Sequence, residues 1–258
     1  MARPVGLLRA MPPGGPPVAS WSRTASAGLV LGRSGVRQPV DAALAAREGV
    51  AIVRRSSGGG PVLWDADLLA LDVVLPRGHR LAAADVVLAY RWLGEAIASA
   101  LRALGVPGVE VVSVARARAV RGRPGPAAGA CFGGISPFEV LARGRKVVGL
   151  SQARRAPGAL LQAGIPMRLD PVGLARLLGR GPAFARGLAA TAAGVADFVP
   201  DADPDDVVRA VEGEVAHAHR VRFAQDEPTA AEAAAIAAAE DELRPAAGGD
   251  AQPAGATG

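Results

Sequence analysis

Apolar positions in this 258-residue chain fall into short runs broken by glycine, proline and charged turns, and the spacing inside each run predicts its element. Gly28 to Gly35 (GLVLGRSG) reads as a brief strand closed by glycines, and Pro39 to Gly49 as a helix that ends at Gly49. Val50 to Arg55 returns as a β-branched strand. The run PVLWDADLLALDVVLP that follows the next glycines reads as one or two strands stopped at Pro76. From Asp85 to Gly105 the period turns helical, with Val86, Tyr90, Leu93, Ile97, Leu101 and Leu104 recurring at steps of three and four. Val109 to Ala115 is the next predicted strand, and a Pro/Gly/Arg loop follows as far as Ala130. FEVLA and KVVGL flank Arg143 and Gly144, a hairpin pattern that puts Lys146 at the start of the second strand.

Beyond Pro171 the pattern is helical. PVGLARLLG and a segment from Phe184 to Gly194 come first, then DPDDVVRAVEGEVAHAH, where Asp203 can cap and Pro204 suits the first turn. TAAEAAAIAAAEDEL is a further helix. The expected organisation is a disordered leader over 1–17 on its Pro/Gly content, a main domain over 18–222, a C-terminal helix within 223–244 and a disordered tail over 245–258.

Composition narrows the class. Alanine, glycine, arginine and proline dominate and aromatics make up 3% of residues, so the core must come from Val, Leu and Ala, which suits a sheet packed with helices better than an all-β fold. The net charge of +5 is spread along the chain and not packed into a tract, which argues against nucleic acid as the partner. The lone cysteine, Cys131, excludes an intramolecular disulfide, and with His79, His217 and His219 it gives no metal-ligand spacing. No apolar run is long enough to span a bilayer, and the N-terminal Met1–Pro17 stretch lacks a signal-peptide core. A cytoplasmic protein without a membrane partner is the expectation.

Two stretches carry candidate chemistry. In Arg54 to Gly60 (RRSSGGG), guanidinium groups and hydroxyls stand beside glycines that let a ligand approach the backbone, a combination suited to an anionic ligand. It is neither a P-loop nor a dinucleotide fingerprint, because its glycine spacing is wrong and no Lys-Ser/Thr pair follows. The second stretch runs from Cys131 to Gly164 and holds Lys146, the only lysine in a chain whose other cationic side chains are arginine. A compact ammonium retained against that bias marks a site where a planar guanidinium does not substitute. Cys131 is open to two readings, a small buried residue or a nucleophile.

Taken together, Arg54, Arg55, Ser57, Gly58 and Gly59, then Cys131, Phe132, Glu139, Gly144, Lys146, Gly149, Gln152, Leu161 and Gln162, resemble in order and spacing the lipoate-protein ligase and octanoyltransferase family, relatives of the biotin-protein ligases. The resemblance covers about Trp21 to Asp170. It departs from the family pattern at Pro61, at Trp64 and Asp67, and at Ala163, where alanine stands in place of a histidine. It implies an α/β fold of α+β type, a mixed β-sheet backed by helices with a short helical C-terminal region, holding an acyl group in an apolar tunnel.

The first function it implies is a lipoate-protein ligase. Such an enzyme uses lipoate and ATP with Mg2+ to form lipoyl-adenylate and modifies a lysine on lipoyl domains of 2-oxoacid dehydrogenase or glycine-cleavage proteins. The alternative is an ATP-independent octanoyltransferase that takes octanoate from octanoyl-acyl carrier protein as a thioester on Cys131. A non-catalytic acyl- or nucleotide-binding homologue is the third reading. Lys146 and Cys131 are the candidate catalytic residues. Arg54, Arg55, Ser57, Gly58, Gly59, Gly60, Gly149 and Gln152 are the candidate acyl- or nucleotide-binding residues, and no metal ligand is assigned. Lys146 would offset negative charge on the reacting carbonyl or a phosphate.

Overall fold

The computed structural model describes residues 2–32, 39–55, 57–120, 122, 125 and 127–243. The glycine turn expected after Gly32, much of the 120–125 loop and the tail from 244 onward lie outside the described residues.

A six-stranded antiparallel sheet organises the chain. Its strands are β1 (Val18–Ser22), β5 (Leu68–Pro76), β9 (Gly158–Pro166), β8 (Arg145–Arg155), β7 (Val140–Ala142) and β6 (Val109–Val111), side by side in that order. A smaller sheet lies apart from it: β2 (Gly28–Leu31) pairs in parallel with β3 (Ala51–Arg54) and antiparallel with β4 (Val62–Trp64). Helix α2 (Ala42–Arg47) makes the parallel crossover, and the Asp41 side chain caps it at the Leu44 amide. Between β7 and β8 the chain reverses at Arg143 and Gly144, whose φ values of 46° and 77° form the two-residue hairpin that the sequence predicts.

Side-chain alternation gives the large sheet two different faces. On one, Leu69, Leu71, Val73, Leu161, Ala163 and Ile165 pack against α3 (Arg91–Ala103) and α7 (Pro204–His219) in the main apolar core. The helix expected from Asp85 begins as a 3-10 turn at Leu88–Tyr90 and becomes α-helical at Arg91. The strand expected over 109–115 stops at Val111 and gives way to α4 (Val114–Val120).

On the other face, one end is covered by the small sheet with α5 (Pro171–Leu177) and α6 (Pro182–Thr191), through Leu68, Phe132, Leu174 and Leu188. The opposite end is covered by helices from the two ends of the sequence. Residues 2–10, expected to be disordered, form α1 (Ala2–Ala10), because Leu7, Leu8 and Met11 are buried against Val74 and Leu160. The Pro/Gly content of 12–17 ends this helix and does not prevent it. Across it lies α8 (Ala230–Leu243), begun by a reciprocal cap between Thr229 and Glu232. The two helices approach backbone to backbone at Gly6, where a Cβ would stand 2.5 Å from Ile236 Cα. Arg9 adds a two-pronged ion pair to Glu242 at 2.7 Å.

Candidate active site

Between these two covers the sheet face is left open as a cavity. Val30, Val62, Leu68, Ala70 and Phe132 make much of its wall apolar, and Arg55, Trp64, Asp72, Cys131, Gly149, Ser151 and Gln162 bring polar atoms or open backbone to it. Strand register explains the arrangement. Gly149, Gly164 and Ala70 form one cross-strand rung, and the next rung on the same face is Ser151, Gln162 and Asp72. The glycine rung leaves room for the Phe132 ring, whose Cζ would lie 3.5 Å from a Cβ at Gly149.

Cys131 enters from a tight turn against the Gly-rich stretch. Its amide donates to the Pro61 carbonyl at 3.0 Å, and a Cβ at Gly60 would stand 1.9 Å from the Gly129 oxygen, so only glycine allows the two segments to touch there. Arg55 follows β3 and turns its guanidinium to the same place, with Nη2 3.3 Å from the Gly60 carbonyl and 3.7 Å from Cys131 Sγ. The half-buried thiol therefore faces the cavity with the Arg55 guanidinium beside it.

Lys146 is 2% exposed and makes three contacts: the Cys131 carbonyl at 2.8 Å, the Gly134 carbonyl at 3.1 Å and the Glu139 carboxylate at 2.7 Å. These match the three donors of an ammonium. Its Nζ lies over the Phe132 ring, 5.2 Å from the centroid, and would stand 3.7 Å from a Cβ at Gly149. Burial pushes the Glu139 carboxyl above the usual carboxylate range, while Lys146 and the Ser136 and Leu150 amides pull it back down. In this geometry the lysine holds the backbone that carries Cys131.

The structure does not bring all the expected residues together. Arg55, Cys131 and Gly149 line the cavity, and Ser57 reaches its polar rung by donating to Gln162 Oε1 at 2.8 Å. Gly59 and Gly60 touch Arg55 and the Cys131 turn, and Gly58 is next to them in the same stretch. Arg54 is exposed at the end of β3. Gln152 alternates to the opposite face, where its amide donates to the Val86 carbonyl. Among the described residues no group of three or more His, Cys, Asp or Glu could hold a metal ion, and no helix is long and apolar enough to cross a membrane.

Asp72 was not singled out from sequence, and Gln162 stood there only as a motif residue. Asp72 is 3% exposed in the middle of β5, and Gln162 Nε2 donates to its Oδ1 at 2.6 Å. Burial raises its carboxyl to about 6, with the Gln162 hydrogen bond acting the other way. The signal was present in the sequence as a single acid inside the apolar run LLALDVVLP.

The model of the lipoyl protein ligase A/B catalytic domain matches residues 8–216. The chain belongs to that family. Among curated relatives, the octanoyltransferase LipM of Moorella thermoacetica is 35% identical over 129 residues, 50% of this chain and 45% of that protein. LipM of an Exiguobacterium species is 34% identical over 122 residues, 47% and 43% of the two chains. The chain thus aligns with less than half the length of these relatives.

Among solved structures, a lipoate-protein ligase A bound with ATP superposes with a TM-score of 0.72 at 23% identity, over 93% of this chain and 88% of the other. The bipartite lipoate-protein ligase of Thermoplasma acidophilum, described with its E2 lipoyl domain, gives 0.73 at 22% identity, over 93% and 86%. At these identities the superpositions establish the lipoyl-ligase fold, and the expectation of a sheet backed by helices holds.

Proposed function

We propose that this protein is a cysteine-dependent acyltransferase of lipoylation. In this reading Cys131 takes an octanoyl group from a thioester, with acyl carrier protein as donor, and passes it to a lysine of a lipoyl domain. The sequence reading placed an ATP-driven ligase first. The curated relatives are named octanoyltransferases, which moves the weight to the alternative. The observation that carries it is the Cys131 thiol on an apolar cavity wall with the Arg55 guanidinium 3.7 Å away.

The chemistry needs two exchanges at one carbonyl. The Cys131 thiolate adds to the donor thioester, the new C–S bond forms, and the carrier thiol leaves with the proton that Cys131 gave up. The acceptor amine then adds to the Cys131 thioester, an amide forms, the proton shed by the amine passes to solvent, and the cysteine departs as thiolate. The incoming acyl group is already activated, so ATP has no part. Arg55 stands beside the sulfur through both exchanges, and Lys146, through the Cys131 and Gly134 carbonyls, keeps the turn in place.

Incubation with octanoyl-acyl carrier protein and no ATP is expected to add one octanoyl mass to Cys131 and then to an apo lipoyl domain, with both additions lost in Cys131→Ser. Lipoylation by Cys131→Ser with lipoate, ATP and magnesium at the wild-type rate, and no adduct on the wild type, would return the ligase reading.

A further inference from the structure

The cavity floor is poorly matched to a plain hydrocarbon. Asp72, Gln162 and Ser151 lie on neighbouring strands as one rung, joined by Gln162 Nε2 to Asp72 at 2.6 Å and extended by Ser57 Oγ to Gln162 Oε1 at 2.8 Å. All three rung residues line the cavity. Among the described residues the Gln162 amide is the only hydrogen-bond donor to the Asp72 carboxylate. An alkyl chain laid over this rung would strip water from a carboxylate and return nothing, whereas a donor on the chain would pair with it.

The distance from the nucleophile to the rung fits this. A Cβ at Gly59 would lie 3.9 Å from Cys131 Sγ, while Ser57, two residues earlier, is hydrogen-bonded into the rung. Two residues span at most about 7 Å. Cys131 and the rung line one cavity, so an acyl chain on Sγ laid along the sheet face meets Asp72. The continuation of the face is closed, because Val74 and Leu160 are covered by α1. Two buried donors on residues of the same cavity, Arg55 Nε and Trp64 Nε1, have no hydrogen-bond partner among the described residues.

Resting on the acyl-transfer reading, we propose that Asp72 determines acyl specificity, and that the cavity selects acyl groups carrying a hydrogen-bond donor such as a hydroxyl part-way along the chain over unsubstituted alkyl groups of the same length. Sites built to pair a substrate hydroxyl reject the analogue that lacks it far more strongly than apolar sites distinguish chain lengths.

The test measures binding without covalent chemistry, by calorimetry at pH 7.5 with octanamide and 5-hydroxyoctanamide. Wild type is expected to bind the hydroxylated amide at least about tenfold more tightly, and Asp72→Val to reverse the order. Asp72→Ala serves if the valine variant does not fold. A wild-type preference for octanamide, the same preference in wild type and variant, or no binding of either amide to wild type overturns the proposal. The acyl adduct on Cys131 is scored separately with octanoyl and 5-hydroxyoctanoyl pantetheine. A cysteine left unmodified by both donors, with the amide preference intact, defeats the transfer reading and leaves the specificity standing.

Discussion

Two carboxylates are buried to the same depth in this protein, in opposite circumstances. Glu139 and Asp72 are 2% and 3% exposed. Glu139 receives an ammonium at 2.7 Å and two backbone amides, and it supports the turn that carries Cys131. Asp72 receives one neutral amide and faces a cavity. Burial raises both acids, yet among the described residues only Glu139 has a cation in direct contact with it. The difference separates frame from site: a buried charge that the fold compensates holds structure together, and one left half-compensated at a cavity is a cost that only a ligand relieves.

The most severe way to break the comparison is to remove the cation from the compensated member. Lys146→Met leaves Glu139 as an unpaired buried charge and is expected to cost about 3–5 kcal/mol. Lys146→Arg should fare little better and lose acyl transfer, because a guanidinium fork does not fit a point-charge site enclosed by two carbonyls, a carboxylate and the Phe132 ring. Urea melts and the acyl-adduct assay read both effects. The double variant Lys146→Met with Glu139→Leu should recover much of the stability, since an apolar pair of similar volume replaces a buried ion pair at little cost. A double variant no more stable than Lys146→Met would show that Glu139 does more than neutralise the lysine.

Asp72 should respond in the opposite direction. Its folded-state value of about 6 lies above the ordinary 3.8, so the folded protein keeps this proton over a range in which the unfolded chain has released it. Its contribution is therefore most favourable below about pH 4, falls as pH rises to about 6 and is level above, a swing of about 3 kcal/mol. Asp72→Asn should flatten that slope and be the more stable protein at pH 7. Equal stability of the two proteins at pH 7 would mean that Asp72 is better solvated than its burial implies.

The smallest effect belongs to the most visible ion pair. Arg9 and Glu242 make a two-pronged contact in full solvent, and Glu242→Gln should leave the melting temperature unchanged within error. A measurable drop would show that this pair, and not Gly6 and the apolar packing, joins α1 to α8.

Much of this was legible in the sequence. Period and punctuation found the hairpin at Arg143 and Gly144, the capped α7 and the strands on either side of the glycine stretch, because each depends on neighbours in sequence. The isolated lysine drew attention as a cation at the reacting carbonyl or a phosphate, and the structure buries it against Glu139 and the turn that carries Cys131. What the sequence concealed depends on partners far along the chain. The Pro/Gly content after Ala10 masked α1, whose stability comes from α8 and from Val74 and Leu160. Gln152 and Gln162 look alike in a motif, and strand parity alone sends one outward to Val86 and the other inward to Asp72. Asp72 passed for one polar residue in an apolar strand until register set it in line with Gln162 and Ser151.

The pairing of α1 with α8 also dictates an order of events during synthesis. The residues that join them are 233 positions apart at Arg9 and Glu242, so at about 5–20 residues per second many seconds pass between the emergence of one helix and the other. Throughout that interval Leu7, Leu8 and Met11 lack their second helix. The nascent chain carries a sticky segment that chaperones can hold, and the closing of this end of the sheet waits for the last described helix to leave the ribosome.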